Sequence, residues 1–166
     1  MIVTVFGSSV TDEYAYNEAY RLGKIIGLKK HILKNGAYSG TMEASAKGCS
    51  EVGGTVIGVG VVGHKIDRMG KPNQYNSQTI LKENVNQRIN ELLRTDMVIV
   101  LKGNIGTLEE MFVAWVRAIE TDSRPIVVVG EKMITLITYL FENDFLKKEH
   151  SKYILTVKTI EEIPFF

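Results

Sequence analysis

The chain has 166 residues, 45% hydrophobic and 23% charged, which is the length of one domain (1–166) with enough apolar material for a sizeable core. A net charge of +1 provides no global field that would draw a nucleic acid polymer or an anionic membrane. No run approaches the roughly 18 apolar residues of a spanning helix.

The opening stretch, Met1 to Gly7, has no basic leader and no small-residue cleavage site, so it reads as a first strand and not as a signal peptide. Asp12 to Leu28 then has helical spacing, and Thr11 or Asp12 is placed to cap it. His31 to Lys34 is a short apolar segment that the alternation of elements assigns as a second strand. A helix over Thr41 to Val52 and a β-branched strand over Val56 to Val61 follow. The irregular stretch His64 to Asn76 is long enough to be either a lid or a solvated excursion. Helical spacing over Asn84 to Arg94, a strand over Met97 to Leu101, and a helix from Thr107 to Glu120 come next. A strand over Ile126 to Val129, a helix over Ile134 to Asn143 and a strand over Ile154 to Val157 complete the chain. Alternating strands and helices, with strands apolar throughout, predict an α/β, doubly wound three-layer sandwich around a mainly parallel sheet. Ligands of such sheets bind beyond the carboxyl ends of the strands, where strand order reverses.

Cys49 is the only cysteine, which excludes an internal disulfide and a multi-cysteine metal site and fits a reducing compartment, so a cytoplasmic protein is expected. His31, His64 and His150 are too scattered to suggest a metal site, and no metal or organic cofactor is expected.

Three turns carry chemistry. The first strand runs into Gly7-Ser8-Ser9, whose small residues let a ligand approach the backbone. It lacks the GxGxxG of a dinucleotide fingerprint, which disfavours ordinary NAD binding. The second turn, Asn35 to Met42, holds Gly36, Gly40, Thr41 and Met42 at the start of a helix. The third, Lys102-Gly103-Asn104-Ile105-Gly106-Thr107, joins a strand to a helix, so its amides and the helix dipole can hold a phosphate without a basic side chain. Two roles are open to Glu110 on local spacing: a site carboxylate, or the last member of a capping box with Thr107.

Taken together, Gly103-Asn104-Ile105-Gly106-Thr107-Leu108-Glu109-Glu110, Phe6-Gly7-Ser8-Ser9 and Asn35-Gly36 to Gly40-Thr41-Met42 resemble the LOG family. These are Rossmann-like proteins once labelled "possible lysine decarboxylases", with molybdenum-cofactor-carrier-like relatives. The resemblance implies a nucleoside 5′-monophosphate ligand, hydrolysis of its N-glycosidic bond to free base and ribose 5-phosphate, no cofactor, and a homodimer packed through the helix after the glycine loop. Its catalytic pair maps to Glu110 and an arginine. Ungapped counting puts the arginine at Gln87, whereas the register that matches Leu92-Leu93-Arg94 puts it at Arg88, which is the assignment taken here; the competing local reading pairs Arg88 with Glu91 on the helix surface.

Lys102 stands where the family has proline, and Asn104 where it has the loop's second glycine, a position for which asparagine is the next residue able to adopt a left-handed backbone. A carrier that binds such a ligand without turnover is the alternative function. Pyridoxal-dependent decarboxylation is disfavoured, because nothing singles out a Schiff-base lysine. The helix after the loop carries Leu108, Met111, Phe112, Ala114, Trp115, Ala118 and Ile119, more apolar surface than one sheet contact needs.

Overall fold

The computed structural model describes residues 1–62, 71–121 and 124–165. In chain order the elements are β1 (Ile2–Phe6), α1 (Glu13–Leu28), β2 (Ile32–Asn35), α2 (Thr41–Glu51), β3 (Val56–Val61), β4 (Gln78–Lys82), α3 (Val85–Leu92), β5 (Met97–Val100), α4 (Ile105–Glu120), β6 (Ile126–Val129), α5 (Glu131–Glu142) and β7 (Leu155–Val157). Short 3-10 turns at Lys148–Tyr153 and Ile160–Glu162 flank β7.

Strand order is β4-β3-β2-β1-β5-β6-β7, and each neighbouring pair runs parallel. Order reverses at β1, which pairs with β2 on one side and β5 on the other. That makes the crevice above β1 and β5 the place where the two halves of the sheet part.

Strand side chains alternate between two cores, as the period of two requires. Met97, Ile99 and Leu101 pack with Val3, Val5 and Leu33 against Ala19, Leu22 and Ile26 of α1 and Ala44 and Cys49 of α2. Val98 and Val100 face the other way, with Phe6 and Val59, onto Ile89 and Leu92 of α3, Met111 and Trp115 of α4, and Met133 and Ile137 of α5. The sheet is therefore the middle of three layers. Burial pushes the Cys49 thiol up to about 11, so it is a packed, unreactive side chain.

Sequence expectations are revised in two respects. Gln78–Lys82 forms an edge strand that the pattern did not signal, because only Ile80 and Leu81 are apolar, most of its residues are exposed, and it pairs only with β3. The helices expected from Thr107 and Ile134 begin two and three residues earlier, at Ile105 and Glu131. Of the long irregular stretch, 64–70 lies outside the described residues. Its last part returns to the second turn, where Asn73 donates from its backbone and side-chain nitrogens to the Ala37 carbonyl, both at 2.8 Å. Ala37 has a positive φ of 73°, and this clamp helps hold that strained turn in place.

Candidate functional site

Of the three helices that begin at the crevice, α1 supplies its own cap: Asp12 accepts from the Ala15 amide at 2.8 Å. The other two are left open. At α2 the N-cap is Gly40, with φ 71° and no side chain to turn back on the helix. A Cβ there would collide with the backbone of Ser8 and Ser9, so the first turn and α2 can approach only because this residue is glycine. Thr41, buried, donates from both its amide (2.9 Å) and its hydroxyl (3.2 Å) to the Ser8 carbonyl. Its hydroxyl thus braces the turn.

At α4 the N-cap is Asn104, whose backbone is extended at φ −95° and does not adopt the left-handed conformation expected of a glycine substitute. Its side chain makes no cap hydrogen bond. Instead Nδ2 donates to Ser8 Oγ at 3.1 Å, tying the third turn to the first across the crevice. The first intrahelical amide bond is Leu108 to the Asn104 carbonyl, so the amides of Ile105, Gly106 and Thr107 precede it without helical partners. An uncapped N-terminus of this kind carries partial positive charge and donors aimed outward, which suits a phosphate.

Below those amides lies a pocket of about 110 Å³. Gly7, Ser8 and Ser9 form one wall, Met42 of α2 another, and Asn104, Gly106 and Thr107 a third, with Arg88 and Glu110 at the base. Gly103 lines an adjoining recess, while Ile105 points away and is 82% exposed. Gly36, Gly40 and Thr41 frame the pocket from behind without lining it.

Arg88 and Glu110 are both buried, 7% and 8% exposed. Arg88 Nη1 donates to Glu110 Oε1 at 2.9 Å, Nε to the Val59 carbonyl at 2.8 Å and Nη2 to the Gly36 carbonyl at 3.2 Å. The guanidinium passes so close to Gly36 that any side chain there would strike it. The competing surface pair is absent: Glu91 instead contacts Lys82 at 2.9 Å and Arg94 at 3.4 Å. Gln87 occupies the exposed start of α3, where its amide donates to Asn84 Oδ1 and its Oε1 accepts from the Glu83 amide. The capping-box role for Glu110 does not occur either, since Thr107 lies inside α4 and the carboxylate faces Arg88.

Burial raises Glu110 from 4.5 to about 7, against the opposing pull of the Arg88 charge and hydrogen bond. A carboxyl group poised near neutrality in a cleft is suited to proton transfer. The Val59 carbonyl was not foreseeable as a partner, because a backbone acceptor leaves no residue-type signature. Among the described residues, no cluster of His, Cys, Asp or Glu has the arrangement of a metal site, and no helix is long and apolar enough to cross a membrane.

A family model for the SLOG cluster4 family matches residues 1–163. The chain belongs to the SLOG cluster4 family. The similarity of this SLOG chain to the LOG-like superfamily spans the whole sheet and all three turns. An uncharacterised protein of Archaeoglobus fulgidus is 46% identical over 59 residues, which cover 36% of this chain and 39% of that protein. Among solved structures, the molybdenum cofactor binding protein of Rippkaea orientalis superposes with a TM-score of 0.75 at 21% identity, covering 96% of this chain and 90% of that one. The molybdenum cofactor carrier protein of Chlamydomonas reinhardtii gives 0.71 at 22% identity, covering 96% and 91%. At such identities the structures establish a shared fold.

Proposed function

We propose that this SLOG protein binds a nucleoside 5′-monophosphate and hydrolyses its N-glycosidic bond. The observation that carries the reading is the buried Arg88–Glu110 pair at the base of a pocket whose upper wall is the uncapped start of α4. The phosphate lies on the amides of Gly106 and Thr107, and ribose enters between Ser8, Ser9 and Met42 with C1′ towards Glu110. As the C1′–N bond breaks, its electron pair leaves with the base and positive charge builds on the sugar. Ionised Glu110 stabilises that charge and takes the proton of the attacking water, whose oxygen bonds to C1′. The departing nitrogen takes a proton from solvent, giving free base and ribose 5-phosphate. Arg88 acts as a positioning residue, keeping enough of Glu110 ionised for this role despite its burial.

Incubation of the pure protein with a panel of nucleoside monophosphates should release ribose 5-phosphate, and Glu110→Gln should lower the rate by roughly 10²–10⁴-fold with its thermal unfolding still cooperative. No product from any member of the panel rejects hydrolysis.

A second reading, binding without turnover, has its own support. Arg88 Nε, Nη1 and Nη2 are all engaged within the protein, which leaves the guanidinium little to offer a leaving group. Two of the similar structures are named as binding or carrying the molybdenum cofactor. Tight binding of a phosphorylated ligand with no product supports this second reading over the first.

We also infer a homodimer. Ile105, Leu108, Phe112, Val116 and Ile119 recur at helical spacing along α4, with Ile105 and Val116 82% and 50% exposed and the other three half-buried. The buried members of the expected apolar surface, Met111, Ala114, Trp115 and Ala118, are consumed by the core.

A further inference from the structure

Residues 73–76, which lead into β4, converge on one backbone atom. The Ala37 carbonyl accepts from the Asn73 amide and from Asn73 Nδ2, both at 2.8 Å, and from Asn76 Nδ2 at 3.2 Å. A carbonyl oxygen has two lone pairs, so this is more than the turn needs to be satisfied. Asn73 Nδ2 also reaches the Tyr38 carbonyl at 3.0 Å, and Asn73 Oδ1 accepts from the Tyr75 amide at 3.0 Å. Asn76 donates in turn to the Asn73 carbonyl at 3.0 Å, and its side chain lies so close over Gly58 of β3 that a Cβ there would strike it. Both asparagines are thus held in place.

The peptide on the other side of Ala37 is pinned too. Its N–H, from Ala37, donates to Asn35 Oδ1 at 2.9 Å, and its carbonyl, from Gly36, accepts from Arg88 Nη2 at 3.2 Å. The dihedrals of Ala37, with φ at 73°, set how this peptide is turned relative to the clamped carbonyl. An alanine enters that left-handed region only when its surroundings hold it there. Released, it relaxes to negative φ and the Gly36 carbonyl turns away from Arg88.

We propose that Asn73, aided by Asn76, is a positioning residue for Arg88 and Glu110: by holding the Ala37 carbonyl it fixes the Gly36 carbonyl, which aims the guanidinium at Glu110. This role rests on the reading above of that pair as the working centre of the site. Neither asparagine lines the pocket, so the action passes through the turn. Arg88 is anchored by the Val59 carbonyl on Nε, the Gly36 carbonyl on Nη2 and Glu110 on Nη1. Without the Gly36 anchor the guanidinium pivots about Nε and its contact with Glu110 loosens. The charges that act on Glu110 are Arg88, from α3, and Glu109 on its own helix, so a weaker Arg88 contact leaves less to offset burial.

Isotopic labelling of the glutamate side chains lets NMR follow the Glu110 carboxyl through a pH titration without substrate, its signal identified by its loss in Glu110→Gln. Asn73→Ala should raise the midpoint by roughly one pH unit. Asn76→Ala, which removes one donor and leaves Asn73 in place, should raise it less. Glycine adopts positive φ freely, so adding Ala37→Gly to Asn73→Ala should return the midpoint to the wild-type value, a rescue that general loosening of the fold would not allow. An unchanged midpoint in both asparagine variants, or a rise that the added Ala37→Gly leaves in place, overturns the positioning role. Absence of product from the nucleotide panel rejects hydrolysis and leaves the outcome of this titration standing.

Discussion

At Glu110, burial and the Arg88 guanidinium act in opposite directions on one proton, and burial prevails. A base must be ionised to work, so the proposed glycosidase activity should rise with pH through an apparent pKa of about 7. Arg88→Ala removes the opposing cation and should move that limb to higher pH; a limb that stays in place contradicts the positioning role. The same shift carries a stability signature. Because the folded value lies above the ordinary 4.5, the native protein keeps a proton that the unfolded chain has released, and this contribution is complete below about 4.5 and lost as pH rises through about 7. The Tm of the wild type should therefore fall relative to that of Glu110→Gln across this window. A constant difference would show that Glu110 titrates normally.

At the scale of elements, the site depends on how α2 and α4 begin. Gly40 is held at φ 71° against the Ser8 and Ser9 backbone, so Gly40→Ala should cost on the order of 1–3 kcal/mol or more and displace the first turn, read as a lower denaturant midpoint. An unchanged midpoint contradicts the close packing described. Strands such as Met97–Val100 were legible because residues buried on both faces leave a continuous β-branched run. Gln78–Lys82 was not, since an edge strand held by backbone pairing leaves no such run. The glycine loop was legible as a turn before a helix, but the helix start was set two residues late. Asn104 is an N-cap residue whose side chain bonds Ser8 instead of its own helix, a choice that only the folded neighbour reveals. Local spacing likewise left Glu110 between a cap and a site residue, and its partner lies 22 positions away on another helix.

For the whole molecule, the parallel sheet brings turns from distant parts of the chain to one edge, where reversal of strand order at β1 leaves room for a ligand. The apolar stripe on α4 predicts a species of twice the 18.6 kDa chain mass by sedimentation, and Val116→Glu should shift it towards the monomer without lowering the Tm appreciably. A wild-type monomer at all concentrations contradicts that surface's role. The most direct test of nucleotide binding at this site is a crystal structure with AMP bound. The phosphate is expected on the amides of Gly106 and Thr107, with C1′ facing the Glu110 carboxylate. A nucleotide bound with its phosphate away from the α4 N-terminus, or with its ribose turned from Glu110, would contradict that placement.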